Sequence, residues 1–263
     1  MTETNRALWN AWADLHIGSR FYDVDGFLSG GSSLREIEIG EVGEVRGKTL
    51  LHLQCHFGLD TLSWARLGAR VTGVDFSDRA IAHARELAER AGLDARFVCA
   101  SVYDAGAALD GERFDIVFTS YGALPWLPEL TRWSEAVARV VAPGGVVHVI
   151  EFHPFLDMLD GGGERLVHPY FNLGPIRTTT AASYTGDATA AAWEEVTWSH
   201  ALGDVVNALI AAGLRIERLN EYDYSPYGLW PFTEEVEPGR WMVRGRPREF
   251  PLVYAVKASA ASR

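Results

Sequence analysis

Five apolar runs alternate with helical patterns between Lys48 and His153, and this alternation constrains the fold more than any other feature of the chain. The helical patterns cover about 59–67, 78–91 and 131–142. Strands separated by helices of this length need right-handed crossovers, which indicates a parallel sheet with helices on both faces. Runs without polar alternation are typical of strands buried on both sides. The sequence therefore predicts an α/β, Rossmann-like core with the strands TLLHL, RVTGVD, ARFVCA, FDIVFTS and VVHVIEF.

The chain outside this core follows other patterns. Leu8, Trp12 and Leu15 lie at helical spacing, which predicts a short amphipathic helix over residues 7–15. Two further strands, LRIERLNEYDY and REFPLVYAVKA, are joined by a loop rich in aromatic residues and proline. We interpret the chain as one domain, 1–263, divided into an N-terminal lid (1–46), a core (47–153), an inserted cap (154–200) and a closing helix with strands (201–263).

Composition excludes several classes of function. A net charge of −11 over 263 residues disfavours a nucleic-acid partner, because surfaces that bind phosphates concentrate Lys and Arg. No basic start followed by an apolar core marks a signal peptide, and no segment reaches the length of a membrane span. We expect a soluble, cytoplasmic protein without a membrane partner. Its oligomeric state, monomer or homodimer, stays open.

Metal chemistry finds no support in the sequence. His148 and His153 lie five residues apart on one strand, so their side chains point to opposite faces. Neither a CxxC nor an HExxH pattern is present. The two cysteines, Cys55 and Cys99, fall on separate predicted elements and form no disulfide framework. We therefore predict no metal site.

The first strand-to-helix turn, QCHFG, is the natural place for a ligand, since ligands of open α/β sheets bind at the carboxyl ends of the strands. Ligand-binding loops of this kind usually carry two or three glycines, but this turn has only Gly58. Taken alone, the turn is therefore equally consistent with a ligand-binding loop and with a strand-to-helix connection that binds nothing. Asp75 ends the second strand, where an acceptor for two ribose hydroxyls belongs. A capping carboxylate is the alternative. Dinucleotides and S-adenosylmethionine both fit at this point.

Later motifs separate these possibilities. ASVYD follows the third strand, FDIVFTSYGALPWL ends the fourth, and VVAPGGVVHVIEF leads into the fifth. With HLQCHFGLDT and GVDFS, this ordered series resembles the class I S-adenosylmethionine-dependent methyltransferases, most closely a bacterial small-molecule branch with an HLQCHFG-type first motif. The resemblance covers about 48–153. It implies a seven-stranded, mostly parallel sheet whose last strand is antiparallel, with a lid over the cofactor.

The resemblance implies S-adenosylmethionine as the cofactor and assigns residues to it. Asp75 would hold the ribose hydroxyls, and Phe76 and Val102 would flank the adenine. Ser101 or Tyr103 would meet the adenine's polar edge. His52 stands where many members have an acidic residue, and which of Gln54 and His56 contacts the cofactor is open. The full predicted set is Gln54, Cys55, His56, Gly58, Asp75, Phe76, Ser77, Ser101, Val102, Tyr103, Ser120 and Tyr121.

Methyl transfer from a sulfonium is an in-line displacement, so alignment of the acceptor with the methyl group supplies much of the rate enhancement. Only a weakly acidic acceptor needs a general base. The resemblance places the methyl group above the first, fourth and fifth strands, near His153, Tyr121 and Glu151, which are the candidate catalytic residues. His153 could equally brace the cap. Aromatic residues in the variable segments indicate a small apolar or aromatic acceptor. The candidate contacts are Trp12, His16, Tyr22, Trp126, Tyr227 and Trp230, although such rings could also close the core.

Two other functions compete with this hypothesis. A non-catalytic S-adenosylmethionine sensor or scaffold would keep the fold but lack an open acceptor cavity. A nicotinamide-dependent oxidoreductase would share the Rossmann-like core. The Pro-Gly-Gly turn and the glycine-poor first loop count against the oxidoreductase.

Overall fold

The structure, a computed structural model, describes residues 3–262, apart from the side chains of residues 188–190. No helix among the described residues is long and apolar enough to cross a membrane. The α-helices are α1 (Glu3–His16), α2 (Val24–Leu28), α3 (Glu36–Val42), α4 (Leu59–Arg66), α5 (Asp78–Ala91), α6 (Ala105–Ala108), α7 (Leu130–Val140) and α8 (Leu202–Ala211). The strands are β1 (Thr49–Leu53), β2 (Arg70–Asp75), β3 (Ala95–Cys99), β4 (Phe114–Ser120), β5 (Val141–Phe152), β6 (Ile176–Ala182), β7 (Ala188–Thr197), β8 (Arg215–Tyr222), β9 (Thr233–Glu237), β10 (Arg240–Val243) and β11 (Val253–Ser259).

Seven strands form the central sheet, in the order β3-β2-β1-β4-β5-β11-β8. The first five run parallel, and β11 pairs antiparallel with both β5 and β8. This arrangement confirms the predicted seven-stranded, Rossmann-like fold. The chain order reverses between β1 and β4, which leaves a crevice at their carboxyl ends where a ligand can bind.

The strands are buried on both faces, as their apolar runs predict. Leu50 of β1 packs with Trp64 on one side of the sheet, and its neighbour Leu51 packs with Trp133 on the other. All four side chains are fully buried. Burial of each leucine contributes about 2 kcal/mol relative to leaving it in water. The two-sided core therefore fixes the carboxyl ends of the strands as a rigid frame for a site.

Two segments outside the central sheet, the N-terminal helix and the β6–β7 hairpin, lie against each other. Helix α1 packs along β7 of the β6–β7 hairpin, where the Asn5 side chain donates to the Val196 carbonyl at 2.7 Å and accepts from its N–H at 3.0 Å. This long-range pairing explains why α1 already includes Glu3, whereas the sequence pattern predicts a helix from residue 7. The predicted loop between the last two sheet strands contains a further hairpin, β9–β10.

Candidate active site

A cavity of about 710 Å³ opens at the carboxyl ends of the parallel strands. Its size falls in the range of small-molecule sites. The ends of the sheet strands supply its floor, and the N-terminal segment, the β6–β7 hairpin and the loop before β9 supply its walls. Among the lining residues are Gln54, His56, Asp75, Phe76, Ser120, Tyr121 and Phe152 from the sheet ends, and Trp9, Trp12, Tyr22, Tyr184, Tyr227 and Trp230 from the walls.

The first turn, residues 54–58, has the left-handed backbone angles that glycine favours, although Gly58 is its only glycine. Gln54, His56 and Gly58 have φ values of 57°, 50° and 81°, so every second residue is left-handed. This conformation costs a non-glycine residue about 1–2 kcal/mol. Two contacts hold the strained path: the His56 N–H donates to Asp75 Oδ2 at 2.9 Å, and Gln54 Nε2 donates to the Ala123 carbonyl at 2.7 Å. The turn therefore keeps a left-handed path at Gln54 and His56 although neither is glycine.

Gly58 is the position where the turn requires glycine. A Cβ atom there would lie 2.7 Å from the Phe97 ring and 3.2 Å from the Ala84 Cβ. A side chain would therefore clash with Phe97 of β3 and crowd Ala84 of α5, whereas Gln54 and His56 line the cavity.

Asp75 links the turn to helix α5. Its Oδ1 accepts the Ser77 N–H at 2.8 Å, while Oδ2 accepts the His56 N–H. Burial raises the pKa of this carboxyl to about 6. Each carboxylate oxygen can accept more than one hydrogen bond, so acceptor capacity remains on the side that lines the cavity. The geometry fits a carboxylate that receives two ribose hydroxyls.

Several buried polar side-chain atoms lie where helix α1 meets the first turn. His16 Nδ1 lies 2.9 Å from His56 Nε2, and burial lowers the pKa of His16 to about 4, so this pair is neutral at pH 7. The indole nitrogens of Trp9 and Trp12 and the Gln54 Oε1 atom are buried and have no hydrogen-bond partner within residues 3–262. Unpaired buried polar atoms are costly, which favours a ligand that supplies the missing partners.

Tyr121 stands at the end of β4 and is backed by a carboxyl. Its hydroxyl donates to Glu38 Oε2 at 3.1 Å, and Glu38 is fully buried. Burial, together with the charge of Asp60, raises the pKa of Glu38 to about 7. Burial and Glu38 in turn raise the pKa of the Tyr121 phenol well above its ordinary value. Tyr121 therefore faces the cavity as a neutral phenol.

Glu151 and His153, predicted as catalytic residues, do not line the cavity. The Glu151 carboxylate accepts N–H groups from the turn after β4, Ala123 at 2.8 Å and Leu124 at 3.0 Å among them. His153 Nδ1 accepts the Phe155 N–H at 3.2 Å, so Nε2 carries the proton and lies 3.0 Å from Glu221. Both side chains accept backbone N–H groups behind the cavity wall, and we assign neither residue a catalytic role.

Four predicted cofactor contacts also lie outside the lining. Ser77 caps α5 by accepting the Ala80 N–H at 3.0 Å. After β3 a short 3₁₀ turn, Val102–Asp104, directs the chain toward α7. It buries Val102 in the core, and the Tyr103 hydroxyl accepts the Glu129 N–H at 3.1 Å. Ser101 caps this turn through the Tyr103 N–H. The 3₁₀ turn directs Val102 and Tyr103 away from the sheet edge, whereas Ser77 is engaged as the cap of α5.

The structure brings the remaining predicted cofactor residues to the cavity. These are Gln54, Cys55, His56, Gly58, Asp75, Phe76, Ser120 and Tyr121. Of the predicted acceptor contacts, Trp12, Tyr22, Trp126, Tyr227 and Trp230 line it, whereas His16 lies behind the lining.

Sequence reasoning missed Asp60, Asp157 and Tyr184, which also line the cavity, and Glu38 behind Tyr121. Asp60 is the second residue of α4, where a carboxylate is ordinary because it interacts favourably with the helix dipole. Asp157 and Tyr184 belong to the segment without a periodic pattern. No signal in the sequence distinguishes these residues from their neighbours. Within residues 3–262 no group of three His, Cys, Asp or Glu side chains is placed to hold a metal ion.

Comparison with known proteins agrees with this geometry. Residues 50–145 match the family model described as a methyltransferase domain. The core has the fold of a class I methyltransferase. A ubiquinone biosynthesis O-methyltransferase from Salmonella arizonae is 30% identical over 135 residues, which cover 50% of this chain and 55% of the relative. The chain thus spans about half the length of the curated relatives it matches.

Solved structures share the fold over nearly the whole chain. An S-adenosylmethionine-dependent methyltransferase from Clostridium acetobutylicum has a TM-score of 0.59 at 13% identity, with 97% of this chain and 100% of that chain covered. A structure described as a DhpI–SAH complex has a TM-score of 0.56 at 20% identity, with 99% and 97% covered. At these identities the likeness concerns the fold alone.

Proposed function

We propose that this protein transfers a methyl group from S-adenosylmethionine to a small acceptor with an apolar or aromatic body. The observation that carries the proposal is the hydrogen bond between Asp75 and the left-handed 54–58 turn at the carboxyl ends of β1 and β2. This hydrogen bond places side by side, at one cavity, the carboxylate that would accept the ribose hydroxyls and the turn that would seat the methionine end. The match of residues 50–145 to a methyltransferase domain and the fold shared with an SAH complex support it.

The residues of the cavity suit the parts of this cofactor. Asp75 would accept the ribose hydroxyls, and the neighbouring Phe76 would pack on the adenine. The 54–58 turn and Ser120 would seat the methionine end, where the unpartnered Gln54 Oε1 can accept from its ammonium group. The sulfonium of the bound cofactor supplies an activated methyl group.

The chain contributes alignment and exclusion of water. Trp9 and Trp12 of α1 and Tyr184 of the cap hairpin cover the cavity from outside the sheet, and Trp12 and Tyr184 pack edge to face at 5.7 Å. Aromatic rings favour a sulfonium electrostatically, and a dry site strengthens that interaction. The acceptor would pack against Tyr121 and Tyr227, whose rings contact each other edge to face in the cavity wall.

Isothermal titration with S-adenosylmethionine, S-adenosylhomocysteine and NADH tests the proposal. We expect both sulfur nucleosides to bind with micromolar affinity and NADH not to bind. Asp75→Ala should weaken S-adenosylhomocysteine binding at least tenfold, because loss of hydrogen bonds to a carboxylate costs about 1.5–3 kcal/mol.

Asp94→Asn is the matched control, since Asp94 is exposed at the opposite end of the sheet. Its affinity should equal that of the wild type. Unchanged binding in Asp75→Ala would remove the ribose assignment, and binding of NADH alone would replace the methyltransferase with an oxidoreductase.

A further inference from the structure

The charged residues that line the cavity are mostly acidic. Asp23, Asp60, Asp75, Asp157 and Glu195 contribute carboxylates, and Arg35 contributes the one guanidinium among the described lining residues. Asp75 is engaged by the first turn, and Asp23 accepts the Gly26 N–H at 3.1 Å. The excess of negative charge inside a concave, low-dielectric site attracts cations and disfavours anions.

Asp157 is the carboxylate without a partner. It follows β5 in a 3₁₀ turn, Leu156–Met158, and its side chain is open to the cavity. No hydrogen bond or ion pair reaches its carboxylate from any described residue. Asp157 is accessible from the cavity, and desolvation together with the charge of Glu151 raises the pKa of its carboxyl. A cationic ligand would relieve this unbalanced charge.

Asp60 lies on the cavity floor and is held in a fixed orientation. Its Oδ1 accepts the Ser33 hydroxyl at 2.6 Å, and Oδ2 lies 3.5 Å from the Ser120 hydroxyl. No Lys or Arg among the described residues lies within ion-pair distance of it. Burial raises the pKa of Asp60, and the more distant charge of Arg35 lowers it. Asp60 thus adds to the same cavity a second carboxylate that has no ion-pair partner among the described residues.

An aromatic cage stands at the ends of β4 and β5; we use this name for the rings of Tyr121, Phe152, Tyr227 and Trp230. The centroids of Tyr121 and Phe152 are 5.1 Å apart, those of Tyr121 and Tyr227 5.3 Å, and those of Phe152 and Trp230 4.9 Å. The Arg35 guanidinium already lies 5.3 Å from the Tyr227 centroid. The cage therefore has the electrostatics of a cation-binding site.

We propose that the acceptor is a small amine with an apolar or aromatic body, whose ammonium group binds between Asp157, Asp60 and the aromatic cage and whose nitrogen receives the methyl group. This inference rests on the proposed function and names its substrate class. A neutral or anionic acceptor would leave both carboxylates without a counter-charge, whereas an ammonium group supplies positive charge and hydrogen-bond donors.

The chemical step balances with groups already in the cavity. The bound ammonium gives one proton to the Asp157 carboxylate, which frees the nitrogen lone pair. The lone pair attacks the methyl carbon as the carbon–sulfur bond breaks, and that bond's electron pair stays on sulfur. The products are the methylated ammonium and neutral S-adenosylhomocysteine, and Asp157 returns its proton to water.

The test measures probe binding to the protein saturated with S-adenosylhomocysteine. The probes are benzylamine, 2-phenylethylamine, 3-phenylpropylamine and 4-phenylbutylamine, each paired with the alcohol of the same chain length. We expect at least one amine to bind ten times more tightly than its alcohol, because only the amine is cationic. Asp157→Asn should abolish that preference and leave S-adenosylhomocysteine affinity unchanged. Asp94→Asn, exposed and remote, should behave as the wild type.

The outcomes separate this inference from the function on which it rests. If S-adenosylhomocysteine binds but no amine exceeds its alcohol, the amine assignment is overturned and the methyltransferase proposal stands. If the preference survives Asp157→Asn, the role of Asp157 is overturned. If S-adenosylhomocysteine does not bind, both proposals fail together.

Discussion

Replacement of Glu38 by glutamine tests how strongly the protein desolvates the carboxyl behind the site. Glu38 is fully buried, its Oε2 accepts the Tyr121 hydroxyl, and its Oε1 has no hydrogen-bond partner within residues 3–262. Glutamine keeps the volume and an acceptor for Tyr121 but cannot ionise. The substitution therefore isolates the cost of burying the charge.

The magnitude follows from the pKa. Glu38 has an ordinary value of 4.5 in the unfolded chain and about 7 in the folded protein, because burial disfavours its charged form. Its contribution to stability is thus fully present below pH 4.5 and is lost as the pH rises through 7. At 1.36 kcal/mol per pKa unit the loss amounts to about 3 kcal/mol. Relative to the wild type, Glu38→Gln should gain about this much between pH 4.5 and pH 8.

Urea unfolding at half-unit intervals from pH 4.5 to pH 8 measures the effect, with linear extrapolation to water. Other titrating groups cancel in the difference between variant and wild type. Glu86→Gln, at an exposed position of α5, is the control and should not reproduce the gain of Glu38→Gln. A pH-independent difference for Glu38→Gln would show that Glu38 ionises normally, and it would refute the desolvation argument.

Two stability predictions concern the first turn and the strand beside it. Gln54→Ala and Gln54→Gly both lose the bond to Ala123, but only glycine adopts a φ of 57° freely, so the glycine variant should be more stable by about 1 kcal/mol in urea unfolding. Equal stabilities would mean that the turn relaxes. Gly73→Ala would place a Cβ 2.7 Å from Phe97 and 2.8 Å from Cys55 Sγ, and it should cost about 1–3 kcal/mol in the same assay. A cost below about 0.5 kcal/mol would show that the side chains of Phe97 and Cys55 move aside with little strain.

The strands and helices of the core could be predicted because their signals are local. The periodicity of residues 78–91 predicts α5 with the bounds that the structure gives. Asp75 at the end of β2 could be located for the same reason, since strand length and turn position depend on adjacent residues. Apolar runs of this kind also indicate which strands are buried on both faces.

The first turn shows where local reasoning reaches its limit. Gln54 and His56 favour right-handed or extended backbone, yet both are left-handed here. The carboxylate of Asp75 and the fixed ends of β1 and β2 hold that path. Only contacts made after the sheet has assembled can hold a turn against its intrinsic preference.

The amino-acid sequence by itself determined the α/β core, its switch point and the place of the cavity. The tertiary structure decided which side chains face that cavity. Glu151 and His153 accept backbone N–H groups, while Asp60 and Asp157 line the same cavity from segments almost a hundred residues apart. The physical reason is that secondary structure depends on near neighbours, whereas orientation and pKa depend on residues distant in the chain, which only folding brings together.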